Sequence, residues 1–272
     1  MYCPSGCQNI TERLWGTGIY TDGSYICAAA IHDGAITDFG GVVTLYRGGA
    51  MAAFFSSTQN GITSKSYSWW YASVSFIDLC GQQGDQLQFS DEISRSFTCP
   101  SNCQESSSNV WGTGIYTKNS HVCAAAIHSG SIPVSGGQIT VYNTVGLPSY
   151  LGSEQNGIIS QTYGSWRDSF SFDNPCTRQA DHLDFNGFNS TFFPCPPGCQ
   201  NTTSRLWGTD IYTDDSYICA AAMHSSQIIG SKGGLVQVRK RGPQNIFTSS
   251  VREGVTSKTY GAWPSSFSLL GN

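Results

Sequence analysis

"YICAAAIHDG", residues 25–34, decides how this chain folds, because the sequence writes it three times. It returns as "HVCAAAIHSG" at 121–130 and as "YICAAAMHSS" at 217–226, a constant step of 96 residues. Alanine favours helix and lets neighbouring backbone come close, so Ala28, Ala29 and Ala30 predict a short helix embedded among other elements. Ser24 stands where a side-chain N-cap belongs. His32, His128 and His224 end the three segments, and the reading is structural: each ring caps the helix C-terminus, aided by the dipole when protonated. Around the helix, "LWGTGIY" (14–20), "GGVVTLY" (40–46) and "SVSFI" (73–77) alternate as strands do, and "QNGI" (59–62) reads as a turn. Each copy is therefore an α+β module, a central short helix surrounded by antiparallel β-strands.

The composition agrees. Of 272 residues only 12% are charged, while 31 are glycine and 12% aromatic, which suits turn-rich β structure. Eleven cysteines fit an oxidising compartment and small modules that need covalent staples. Three glycosylation sequons, at Asn9, Asn189 and Asn201, point the same way, so the chain reads as secreted and extracellular. No apolar run approaches the roughly 20 residues that span a bilayer. The opening "MYCPSGC" carries no apolar leader and reads as a processed or excerpted chain. The net charge of −4 argues against a general nucleic-acid binder. It is unevenly spread: from Cys195 onward seven Lys or Arg face four Asp or Glu, about +3, leaving about −7 upstream. The basic run "VRKRG" at 238–242 reads as a solvated strand end rather than a polyanion site.

Cys3, Cys7, Cys27 and Cys80 map onto Cys99, Cys103, Cys123 and Cys176, and the first three map again onto Cys195, Cys199 and Cys219. The modules are read as 1–79, 80–175 and 176–272, the second and third each opening with a connector. The connectors, 81–98 and 177–194, carry Phe89, Phe185, Phe192 and Phe193, so they are expected to pack against the modules.

Chemistry needs more than one recurring imidazole. A catalytic histidine needs a nucleophile or second acid, and a metal needs three or four convergent ligands. The nearby acids do not repeat: Asp33 becomes Ser129 and Ser225, and Asp22 becomes Lys118. The C-x3-C spacing of "CPSGC" suits zinc poorly. No cofactor and no enzymatic activity are expected. Trp15, Trp111 and Trp207 read as core anchors, and Trp70, Trp166 and Trp263 also recur.

At these residues the chain resembles the LCCL module. The likeness rests on "CPSGC", "WGTGIYTDGSYICAAAIHDGAI", "GGVVTLY" and "QNGITSKSY", each with equivalents in the other copies. It covers all but the connectors. The resemblance implies a secreted, non-catalytic module associated with extracellular matrix, host defence or surface assemblies, and proposed to bind lipid or lipopolysaccharide. It also implies a pairing of Cys7 with Cys27, Cys103 with Cys123, and Cys199 with Cys219, each bond contributing roughly 3 kcal/mol. An upstream partner for the first cysteine of C-x3-C then gives Cys80 with Cys99 and Cys176 with Cys195. Cys3 is left over, for a bond to another chain or to a cysteine missing from this excerpt. The rival pairing, Cys3 with Cys80 and Cys99 with Cys176, leaves Cys195 alone.

Two functions fit. One is a structural or adhesive extracellular protein that self-associates, head to tail, into a filament or matrix. The alternative is an innate-immune or cell-surface recognition protein that binds lipid, lipopolysaccharide or glycan through its modules.

Overall fold

A computed structural model describes residues 1–87, 89, 93–104 and 109–270. The three repeated strings form helices α1 (Ile26–Asp33), α2 (Val122–His128) and α3 (Ile218–His224). Their alanines are wholly buried, from Ala28 to Ala30, Ala124 to Ala126 and Ala220 to Ala222. Side chains this small let the helix lie against the sheet at close range, and each helix sits in its own module's core. The fold is α+β, three disulfide-stapled modules in series.

In modules two and three the sheet has five strands. In module two, Ser94–Cys99 pairs antiparallel with Gly137–Val145, which pairs with Asp168–Ser171, then Ile115–Thr117, then Gly112–Thr113. "LWGTGIY" is thus a tight hairpin rather than one strand, because Gly114 and its counterparts reverse the chain in left-handed backbone. "QNGI" is the turn expected: Asn60 and Gly61 take positive φ of 49° and 76° between Thr58–Gln59 and Ile62–Thr63. Module one keeps only a four-stranded sheet, and its "GGVVTLY" is split into Gly41–Val42 and Tyr46–Gly48.

The connectors join the cores of the modules that follow them. Leu87 and Phe89 are buried with the helix of module two, and Ala180, Phe185 and Phe193 with that of module three. They also cap helices: Val122 N–H donates to Gln82 O at 2.9 Å and Ile218 N–H to Arg178 O at 3.0 Å. In module one Ser24, the N-cap expected from sequence, does not cap α1. Its hydroxyl instead accepts the Trp15 amide at 3.1 Å, and Tyr25 is the N-cap residue without a side-chain bond.

The disulfides correct the pairing implied by resemblance. The helix cysteine bonds the first cysteine of C-x3-C: Cys3–Cys27, Cys99–Cys123 and Cys195–Cys219. The second bonds the upstream cysteine, Cys80–Cys103 and Cys176–Cys199, and Cys7, not Cys3, is left with a thiol. The reason is the path of the chain. Cys99 ends the strand that runs down to the start of α2, with Cα atoms 5.5 Å from Cys123. The turn after it carries Cys103 away toward the connector, 5.0 Å from Cys80.

Candidate functional site

Two constellations recur in all three modules, one buried and one exposed. In the buried one the tyrosine of the hairpin meets the histidine that ends the helix. Tyr20 Oη lies 2.7 Å from His32 Nδ1, and Tyr116–His128 and Tyr212–His224 stand at 2.8 Å. On the other side of each ring, Nε2 faces the carbonyls of Ser57, Ser153 and Ser250 at 3.2, 3.1 and 3.2 Å. A carbonyl only accepts, so Nε2 carries the hydrogen and Nδ1 accepts from the tyrosine.

That tautomer decides the chemistry. The hydroxyls of Ser57, Ser153 and Ser250 also lie 3.1 to 3.3 Å from Nε2, which looks like a serine–histidine pair. The basic lone pair, however, points at tyrosine, and the N–H points at serine, so the ring cannot take a serine proton. All three histidines are wholly buried. Burial lowers the pKa of His128 and His224, against an opposing pull from the serine carbonyls. It pushes the tyrosines up, Tyr212 to about 12. The rings also do not cap the helices, as the sequence had suggested. Asn60 Nδ2 donates to Ile31 O and His32 O, Asn156 Nδ2 to His128 O, and the Ser225 hydroxyl to Ala221 O.

The exposed constellation is an aromatic ladder. Trp15, Tyr67 and Trp70 meet edge to face at 5.8 and 5.3 Å between centroids; Trp111, Tyr163 and Trp166 do so at 6.2 and 5.5 Å, and Trp207, Tyr260 and Trp263 at 6.4 and 5.4 Å. The tryptophans expected as core anchors are therefore surface residues, half-buried and absent from the cores of the helices. The middle rung is open: Tyr67, Tyr163 and Tyr260 are 38%, 40% and 43% exposed. The ladder escapes a sequence reading because its first rung lies about 50 residues from the other two. A parallel bridge, Trp15 to Lys65, brings them together. Next to Tyr67 in the chain, the Ser66 hydroxyl donates to Ser56 Oγ at 3.0 Å. Trp70 Nε1 and Trp263 Nε1 donate to Asp22 and Asp214. In module three, Arg205 and Lys258 sit 5.6 and 5.7 Å from the Trp207 ring.

The other sites read from sequence fall apart from both. Asn9, Asn189 and Asn201 are exposed. Of the basic run, Lys240 lies over the Phe185 ring at 4.3 Å and Arg241 donates to Ser268 at 2.9 Å, so two of its three cations already have partners. Among the described residues no three His, Cys, Asp or Glu side chains gather as metal ligands, and no helix is long and apolar enough to cross a membrane.

Fold and sites together define a protein of serial disulfide-stapled modules, each with a buried tyrosine–histidine pair and an aromatic face. The chain belongs to the LCCL domain family, whose profile matches residues 1–74, 79–170 and 175–267. It is 35% identical over 183 residues to cysteine-rich secretory protein LCCL domain-containing 2 of Homo sapiens, covering 62% of this chain and 37% of that protein. It is 47% identical over 72 residues to vitrin of Mus musculus, covering 26% of this chain and 11% of vitrin. With clotting factor C of Tachypleus tridentatus it shares 33% identity over 148 residues, 52% of this chain and 14% of that protein. The matched stretch thus spans little more than a third of even the first of these relatives.

Proposed function

We propose that this chain is a secreted, non-enzymatic recognition protein whose three modules each offer a weak face for a glycan, the sugar ring lying on the Trp–Tyr–Trp ladder. The observation that carries the reading is the threefold recurrence of a ladder with an open tyrosine rung. Flat, partly exposed aromatic rings bordered by hydroxyls suit the apolar face and polar rim of a saccharide better than a lipid chain, which needs an enclosed apolar cavity. Three weak sites on one chain gain from avidity, by about a hundredfold or more where the ligand reaches several at once. Export is supported by five disulfides and by the exposure of all three sequon asparagines.

Binding of polysaccharide and of lipopolysaccharide to the full chain, followed by calorimetry, tests it. Tyr67→Ala, Tyr163→Ala and Tyr260→Ala, added one after another, are expected to weaken binding stepwise while circular dichroism stays unchanged. Equal binding by the triple variant, or none by the parent, would remove the ladder as a site.

A structural reading, copies meeting head to tail, is favoured by the uneven charge of about −7 before Cys195 and about +3 after it. Sedimentation at rising concentration checks it: a monomer at both low and high salt ends that proposal.

A further inference from the structure

The three ladders share their rungs but differ at the rim, and module one departs furthest from the other two. Its last rung, Trp70, is flanked by Trp69 and Tyr71, where module two has Ser165 and Arg167 and module three has Ala262 and Pro264. Tyr71 stacks on Trp70 with 5.1 Å between centroids and 27° between planes, and it remains 61% exposed. In module one, then, the edge-to-face rungs run on into a further ring that lies open to solvent.

The polar groups beside that ring differ in the same way. Asp22 comes up to it from the hairpin: its amide donates to Ala72 O at 3.3 Å, and its Oδ1 accepts from Trp70 Nε1 at 2.6 Å. Among the described residues its Oδ2 has no bond. Next in the chain is Gly23, where a built Cβ would lie 3.4 Å from Trp70 Cζ2 and 4.0 Å from Arg13 Nη2. The glycine therefore keeps a gap between an indole and a guanidinium, the kind of place where a ligand can approach backbone. Module three has Asp215 at that position, and the acid engages its arginine: Arg205 Nη2 donates to Asp215 Oδ2 at 3.3 Å. Module two has Asn119 there, with Asn109 in place of the arginine and Lys118 in place of Asp22. Arg13 forms no ion pair among the described residues, and its guanidinium rests over the Tyr25 ring at 5.7 Å. An open aromatic ring, an unbonded carboxylate oxygen and an unpaired guanidinium meet at Gly23, a combination that the sequences of the other two modules do not repeat.

We infer, resting on the saccharide reading above, that module one holds the principal subsite of the chain and that it takes a neutral sugar with two adjacent free hydroxyls. The sugar lies on Tyr71 and reaches across Gly23, one hydroxyl donating to Asp22 and the other accepting from Arg13. A ring by itself supplies apolar contact without choosing among ligands. A carboxylate that only accepts, set beside a guanidinium that only donates, fixes orientation and demands hydroxyls. Hydrogen bonds to charged groups are also the stronger ones, which puts this module ahead of its siblings. The charge around it selects further. Glu12 and Asp22 balance Arg13 and Lys65, so no net field draws in a polyanion, and Asp22 repels a sulfate or uronate brought to its free oxygen.

Calorimetry of the full chain with cellohexaose, mannohexaose and a heparin hexasaccharide tests this. A neutral hexasaccharide is expected to bind more tightly than the sulfated one. Gly23→Asp gives Arg13 the partner that Arg205 already has, in a turn that module three builds with aspartate. It is expected to weaken neutral binding about tenfold while circular dichroism stays unchanged. Tyr71→Ala is expected to lose a similar factor, and Pro264→Ala, the matched change in module three, none. Undiminished binding by Gly23→Asp, or a preference for the heparin fragment, would overturn the inference. Should binding fall with Tyr67→Ala, Tyr163→Ala and Tyr260→Ala in equal steps while Gly23→Asp and Tyr71→Ala match the parent, the ladder stands and this subsite falls. A parent that binds none of the three sugars, yet binds phosphatidylcholine vesicles through Tyr71, removes both.

Discussion

Tyr116 donates its hydroxyl to His128 Nδ1 at 2.8 Å, in a place where neither side chain meets water. The same bond, with the same tautomer, locks hairpin to helix in each module. The recurring histidine thus serves the fold, and the serine beside it is held by an N–H rather than activated by a base.

Tyr116→Phe keeps the ring and deletes only the donor, leaving Nδ1 buried without a partner. Such an acceptor costs about 1–3 kcal/mol. Thermal melting of the Tyr116→Phe chain is expected to show a transition several degrees lower for module two, with the others unmoved. An unaltered melting profile would mean that the bond contributes nothing net.

The same burial makes stability depend on pH. His128 and His224 have folded pKa values below the value of about 6.5 that an unfolded histidine shows. Below that pH the unfolded chain binds the proton and the native chain does not, so the unfolded state gains. The contribution is fully present above about pH 6.5 and is lost as pH falls toward the lowered folded values. Near His224, Arg252 also lowers the pKa and Asp210 raises it. Urea unfolding at pH 7.5, 6.5 and 5.5 is expected to give falling midpoints, and His128→Asn is expected to flatten the trend for module two. A midpoint that rises on acidification would contradict the neutral assignment.

Mass mapping under non-reducing conditions decides the covalent frame. It is expected to recover Cys3–Cys27, Cys99–Cys123 and Cys195–Cys219 with Cys80–Cys103 and Cys176–Cys199, and to find alkylation of native protein only at Cys7. Recovery of a Cys7–Cys27 peptide would overturn it.

The repeat, the helix and the QNGI turns were legible because local chemistry writes them: alanine runs, alternating apolar residues, and Asn-Gly at positive φ. The cysteine partners were not. Exchanging Cys3 for Cys7 as the partner of Cys27 changes the loop from 24 to 20 residues, which alters the chain-entropy term by only about 0.2 kcal/mol. Position in space decides instead, through the strand that delivers Cys3 to the helix and the turn that removes Cys7. The ladder stayed hidden for a similar reason, since Trp15 reaches Tyr67 only through a bridge between distant segments. The helix N-cap misled because the Ser24 hydroxyl is taken by the Trp15 amide and the Thr21 hydroxyl, contacts made by the hairpin and not written in the helix's own sequence.

Glycine substitutions separate backbone strain from collision, and module two offers a matched pair. Gly114 turns the hairpin at φ +72° with no atom within 4 Å of a built Cβ, so Gly114→Ala is expected to cost only the left-handed penalty of about 1–2 kcal/mol. Gly136 has a similar φ of +81°, but its Cβ would lie 2.4 Å from Cys99 O and 2.7 Å from Pro100 C. Those atoms belong to the strand end that sets the Cys99–Cys123 bond, and backbone cannot swing aside as a side chain does. Gly136→Ala must therefore displace the strand that carries Cys99 as well as strain its own backbone. Its module is expected to melt well below that of Gly114→Ala, with loss beyond about 3 kcal/mol. Calorimetry of the two full-length variants compares them directly, and equal destabilisation would show that the close approach at Gly136 relaxes at no cost.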